Sequence, residues 1–188
     1  FRSDYLKAII VDTVESSAMM NAIYAEVVRR KNLNSAHGVG SYRDLPPEIQ
    51  PPHIVVVIDE FTSLMMADRL KKPNTNDPEV LAEYEEQVQI NDAKANIGSK
   101  AGRIAREARS AGVTLILATQ KLTSDTLSSI PGAGDLKTNM SRLLLGKTTF
   151  GDLQAGLRSP TEAPDLGSQV NAGRGIYETT LEASTIIR

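Results

Sequence analysis

The sequence predicts an α/β fold, a mostly parallel sheet flanked by helices and closed by a C-terminal hairpin. Three observations lead there. Ile54-Val55-Val56-Val57-Ile58 is β-branched throughout and apolar on both faces, the composition of a central parallel strand. Leu115-Ile116-Leu117-Ala118 is a second buried run, separated from the first by helical patterns. Near the end, Gly175-Ile176-Tyr177-Glu178 and Ser184-Thr185-Ile186-Ile187 are spaced to pair as a hairpin.

The remaining elements follow in order. Residues 6–11 read as a short buried strand. Asp12-Thr13-Val14-Glu15 then offers a capping side chain and a Glu three residues later, so a helix starts here. Ala18, Met19, Ala22, Ile23, Val27 and Val28 keep helical spacing from Val14 to about Lys31. Residues 32–50 are polar, with Gly38, Gly40, Pro46 and Pro47, and read as a loop with one helical turn. A short helix through Met66 follows the central strand. Residues 68–96 read as an insertion, with Lys71-Lys72-Pro73-Asn74 and Asp77-Pro78 as breakers and a helical stretch whose Glu83, Glu85 and Glu86 form a solvated face. A helix over 97–111 stops at Gly112. Beyond a loop through Pro131-Gly132, residues 142–145 read as a strand and 150–157 as a short helix. The whole of 1–188 is expected to form one domain.

Composition excludes several functions. There is no cysteine, so disulfides and thiolate metal sites are out, and the two histidines, His37 and His53, lie far apart in sequence. No apolar run approaches the roughly 20 residues that cross a bilayer. The expected setting is cytoplasmic, with any membrane attachment supplied by regions outside this chain. The first residue is Phe1, which suggests a piece of a longer protein. The net charge is −2, so a nucleic-acid partner would have to be met by a local patch or by the arrangement of subunits.

The informative chemistry is Asp59-Glu60 at the end of the strongest strand. A hydrophobic strand followed by two acids has the form of a Walker B motif. It delivers carboxylates to the C-terminal edge of the sheet, where ligands gather in open α/β folds. Asp59 is suited to Mg²⁺, held through water because that ion dehydrates reluctantly. Glu60 is suited to polarising the water that attacks a γ-phosphate. The plainer alternative is that both acids merely begin the next helix, where negative charge suits the dipole. Thr119-Gln120 ends the next strand, and a Gln amide there can donate to phosphate and accept from water. Gly146-Lys147-Thr148 is not a phosphate-binding loop, because Ser141 stands where its first Gly belongs and Leu143-Leu144-Leu145 fills the loop. Arg103, Arg106 and Arg109 share a polar helical face, and Arg29-Arg30 are read as a helix end. Arg142, Lys147 and Arg158 follow the second strand and are the candidates for phosphate or subunit-interface contacts.

These residues resemble a known family. Pro52 through Phe61, followed by Leu64-Met65-Met66, is similar to the Walker B segment of FtsK/SpoIIIE DNA translocases. Ala105-Arg106-Glu107-Ala108-Arg109-Ser110-Ala111-Gly112-Val113 and Leu115 through Gln120 resemble that family's next helix and its A-T-Q strand. Val27-Val28-Arg29-Arg30, Gly40-Ser41-Tyr42-Arg43-Asp44 and Gly173-Arg174-Gly175-Ile176-Tyr177 resemble its flanking segments, so the likeness spans nearly the whole chain. The resemblance implies the C-terminal part of a RecA-like P-loop NTPase core whose phosphate-binding loop lies upstream of Phe1. It implies ATP and Mg²⁺ as cofactors, a hexameric ring of copies and double-stranded DNA as partner, with no other small-molecule substrate. Asp59 would hold the metal, Glu60 act as base, and Thr119 and Gln120 meet the nucleotide. Two departures stand out. Residues 68–96 exceed the short link of chromosomal translocases, and 147–154 lack the expected interface arginine, for which Arg142 or Arg158 would substitute. Conjugative coupling relatives therefore fit as well as chromosomal ones. Type VII secretion ATPases share the motifs but move protein, and a non-catalytic assembly module is the third reading.

Overall fold

The computed structural model describes residues 8–120, 123, 128–146, 149–165 and 173–187. Helix α1 spans Thr13–Ala36, strand β1 Ile54–Ile58, and helix α2 Phe61–Met65. Helix α3 spans Pro78–Glu107 and strand β2 Val113–Leu117. Helix α4 (Ala133–Asn139), strand β3 (Arg142–Leu145), helix α5 (Phe150–Gly156) and strands β4 (Gly175–Glu178) and β5 (Thr185–Ile187) complete the order. The fold is α/β, with a small parallel sheet flanked by helices.

β1 and β2 pair in parallel from Ile54 opposite Val113 to Ile58 opposite Leu117. One face of this pair, carrying Ile54, Val56, Ile58, Leu115 and Leu117, packs on a core of Met20, Val27, Ile97, Ala101 and Ile104 from α1 and α3. Close approach at the floor of that core depends on glycine. A Cβ on Gly102 would stand 2.9 Å from the backbone of Gly132, so α3 and the start of α4 meet only because neither residue has a side chain.

The helix start at Asp12 is as expected, with its carboxylate accepting from the Glu15 N–H at 2.7 Å. α1 runs on past Lys31 to Ala36, so Arg29 and Arg30 lie inside the helix and do not end it. Arg30 is buried and explains the extension. Its Nη1 donates to Pro52 O at 2.8 Å and Ala111 O at 3.2 Å, while its Nε meets Glu26 at 2.7 Å. Asn34, one turn on, donates to Ser110 O at 2.9 Å.

Other expectations are corrected. Residues 8–11 form no strand, and Val11 is 92 % exposed; an apolar run without a neighbouring edge has nothing to pair with. Residues 6 and 7 lie outside the described residues. The sheet is not mostly parallel among the described residues, because β3, β4 and β5 form a separate antiparallel sheet in that order. The short link between β4 and β5 forces the chain straight back, as the expected hairpin requires. The helical stretch near residue 80 and the helix expected over 97–111 are one continuous helix, α3, which ends at Glu107 before a 3-10 turn over Arg109–Ala111, with Asp77 as its cap and Pro78 in its first turn. A non-helical strap, residues 66–77, lies beside it. Asn91 pins that strap by exchanging two hydrogen bonds with the Asp68 backbone, at 3.0 and 2.9 Å.

Glu26 holds both Arg29 and Arg30. The Arg29 guanidinium, and then Arg30 against the opposing cost of burial, bring its carboxyl from 4.5 down to about 2. A depressed folded-state value stabilises the fold above the unfolded value and is lost as pH falls toward the folded one. Stability measured by urea unfolding is therefore expected to decline between about pH 4.5 and pH 2, and Glu26→Gln should flatten that part of the profile. Arg30→Ala removes the donor to the Pro52 and Ala111 carbonyls and one of the two arginines on Glu26. It is expected to cost roughly 3 kcal/mol at neutral pH, read as a lower urea midpoint.

Candidate functional site

The site forms where β1 and β2 end side by side. The parallel ladder continues past both strands, with the Ala118 N–H donating to Ile58 O at 2.9 Å and the Phe61 N–H donating to Ala118 O at 2.9 Å. Phe61, Thr62 and Met65 are buried, so the turn between β1 and α2 is anchored from below. The Thr62 and Thr119 hydroxyls hydrogen-bond across it. Above this clasp, Asp59 is exposed and Glu60 half-buried.

Glu60 is the one non-glycine with positive φ among the described residues, at φ 48° and ψ 40°. A side chain in the left-handed region costs about 1–2 kcal/mol. The turn is nevertheless held. The Glu60 N–H donates to Asp59 Oδ1 at 2.9 Å, and Glu60 O accepts from the Leu64 N–H at 3.0 Å. From the neighbouring strand end, Gln120 Nε2 donates to Glu60 Oε1. The chain thus brings Asp59, Glu60, Thr119 and Gln120 to one edge of the parallel sheet.

Arg142 and Arg158 belong to a different constellation. Both meet Glu178, which is 3 % exposed: Arg142 Nη1 at 2.9 Å and Arg158 Nε at 3.7 Å. The Arg158 N–H adds a bond at 2.9 Å and the Ser159 N–H one at 3.3 Å. Burial pushes the Glu178 carboxyl up, but the N–H groups of Arg158 and Ser159 and the guanidinium of Arg142 outweigh it and hold it below its ordinary value. Arg142, lowered by burial, leaves Nη2 with no partner among the described residues. In this chain both arginines fasten β3 and the segment after α5 to β4. Lys147 lies outside the described residues, as does Thr148, while Leu143 to Leu145 sit in β3 as expected for a strand.

The remaining candidates have packing partners. Arg106 bonds Asp135 at 2.8 Å and Glu107 at 3.0 Å, and Arg103 stacks over Tyr24 at 5.6 Å. His53 joins Tyr42 Oη and Thr114 Oγ1, both at 2.9 Å. No cluster of three or more histidine or acidic side chains able to hold a metal occurs among the described residues. An exposed Asp59 with one oxygen on the Glu60 N–H still fits Mg²⁺, which keeps most of its waters and takes one or two carboxylates beside phosphate oxygens.

Sequence reasoning missed Thr62, Glu178 and Arg30. Thr62 gave no signal beyond being polar in a short apolar helix. Glu178 shares the strand phase of Ile176, so alternation alone marked it as an inward-facing charge.

A strand-end pair of acids thus stands beside a strand-end Gln on an α/β core. Known proteins put this arrangement in context. No family model matches the chain. It is 28 % identical over 128 residues to the DNA translocase FtsK of Caldanaerobacter subterraneus subsp. tengcongensis, covering 66 % of this chain and 14 % of that protein. It is 26 % identical over 120 residues to a sporulation regulatory protein of Streptomyces azureus, covering 64 % of this chain and 34 % of that one. Among solved structures, the pCW3 conjugation coupling protein TcpA, in monomer form with ATPγS, superposes with a TM-score of 0.64 at 16 % identity. That match covers 97 % of this chain and 46 % of TcpA. The cytoplasmic domain of the type VII secretion ATPase EccC of Thermomonospora curvata superposes at 0.51 and 21 % identity, covering 93 % of this chain and 17 % of EccC. The chain is thus distantly related to the FtsK/SpoIIIE–TcpA–EccC superfamily of ATPase motors, and its fold resembles part of their RecA-like core. It spans less than half the length of each of these relatives.

Left-handed strain at Glu60 has a measurable signature. Glu60→Gly removes it and is expected to raise the thermal midpoint of the chain by about 2–4 °C, as roughly 1 kcal/mol does at this size.

Proposed function

We propose that this chain is the hydrolysing part of an ATP-driven motor of the FtsK/SpoIIIE type that moves double-stranded DNA. The observation that carries the reading is the convergence of Asp59 and Glu60 with Thr119 and Gln120 on one sheet edge. The FtsK likeness over two thirds of the chain supports DNA as the cargo. In this reading the phosphate-binding loop comes from an upstream segment, copies form a hexameric ring with ATP at their interfaces, and the motor works in the cytoplasm. With a net charge of −2, DNA would be gripped by a local patch in the ring rather than by overall charge.

Each residue has a stated task. Asp59 would hold Mg²⁺ through water, and the bound ion would neutralise charge on the phosphates. Glu60 takes a proton from the water whose oxygen attacks the γ-phosphorus, while the bond to the β-phosphate oxygen breaks and ADP leaves. Gln120 donates its amide to a γ-phosphate oxygen, and Thr119 fixes the height of that strand end through Thr62. Arg142 and Arg158 act as interface arginines only if a neighbouring subunit draws them from Glu178.

A protein-secretion motor is the second reading, favoured by the superposition on EccC. ATP turnover by the protein that includes its upstream segment separates the two. Strong stimulation by double-stranded DNA is expected for a translocase. Indifference to DNA with stimulation by an exported peptide would move the assignment to secretion, and failure to bind nucleotide would leave an assembly module. Glu60→Gln is expected to keep nucleotide binding and lower turnover at least a hundredfold. Wild-type turnover in that variant would sink the base assignment.

A further inference from the structure

Two groups assigned to different partners during hydrolysis touch each other here. Gln120 Nε2 donates to Glu60 Oε1, although the amide is to meet the γ-phosphate and the carboxylate the attacking water. Both acceptors of that amide are anionic, and although Nε2 carries two N–H groups, holding carboxylate and phosphate on it at once would bring two negative charges together, so the two compete for it. The backbone around them is not free to settle the competition. Ala118 bonds Ile58 and Phe61 on either side of the turn, and Thr62 bonds Thr119 beneath it. The two strand ends therefore keep their spacing, and only the Glu60 and Gln120 side chains can exchange partners.

The geometry points to a resting latch: Gln120 holds Glu60 in a contact that the terminal phosphate of a bound triphosphate must break. This rests on reading Gln120 as the residue that meets the γ-phosphate. A diphosphate lacks that group and leaves the latch closed, so base and water are brought together only by the nucleotide that can be hydrolysed. A ligand that must first open a closed contact has its affinity reduced by the fraction of molecules in which that contact is open. The latch thus lowers triphosphate affinity selectively.

The experiment is a calorimetric titration of ATPγS and ADP into the protein that includes its upstream segment. Glu60→Ala frees the amide and is expected to tighten ATPγS about tenfold, with ADP unchanged. In a Gln120→Ala background the same change should give no gain, since the cycle isolates the pair. A Glu60→Ala variant with wild-type ATPγS affinity overturns the latch. So does a gain that persists undiminished without Gln120, which would report only repulsion between Glu60 and phosphate. Should Glu60→Ala fail to fold, Glu60→Asp keeps the charge, suits a left-handed backbone and withdraws the carboxylate by one methylene, and it should show the same gain. Turnover of Glu60→Gln judges the base assignment separately, because the latch is read from binding alone.

Discussion

The buried guanidinium of Arg30 is the contact on which the parallel sheet depends. It reaches from the middle of α1 to Pro52 O, just before β1, and to Ala111 O, just before β2. One planar group with fixed donor directions therefore sets the height at which both strands begin. Since β1 and β2 are in parallel register, setting their starts also sets their ends, and the ends carry the site. Removing a charge this size from water is costly, and the cost is met by Glu26 together with the two carbonyls. The position of Asp59 and Glu60 is thus determined at the opposite end of the sheet from the one they occupy.

What the sequence disclosed was local. The β-branched run of β1, the Asp12 cap and the acids after Ile58 each speak through neighbours within a few residues, and all stand where they were expected. What it concealed was long-range. Arg30 bonds a carbonyl 81 residues away, and in a one-dimensional reading it is merely a cation in a helix. Arg142 and Arg158 were read as candidates for phosphate or interface contacts, and nothing near them in the sequence pointed to Glu178, which lies 36 residues beyond Arg142. The apolar run at the start read as a strand because composition cannot say whether a partner edge exists. The break before residue 97 was invisible as continuity, since polar residues on an overhanging helix look like a loop.

The second sheet is organised on the same principle with different chemistry. Glu178 gathers one guanidinium, two backbone N–H groups and a second, more distant guanidinium into a single buried knot. The segment after α5 is thereby closed onto β4 without a long apolar contact. A charged knot of this kind tolerates little substitution, because each partner neutralises a cost the others create. The two sheets among the described residues are thus each held by a buried charged group, Arg30 at the base of the parallel strands and Glu178 within the antiparallel trio.

Among the described residues, β1 and β2 are covered on one face only. Val55, Val57 and Ile116 point the other way and are 56 %, 63 % and 46 % exposed. The transfer free energy of those side chains is missing from the folding equilibrium until something covers them. Whatever does so binds the folded chain and not the unfolded one, and mass action then adds its binding to the stability. Covering that face and folding are consequently linked, because whatever packs on Val55, Val57 and Ile116 raises the stability of the sheet it covers.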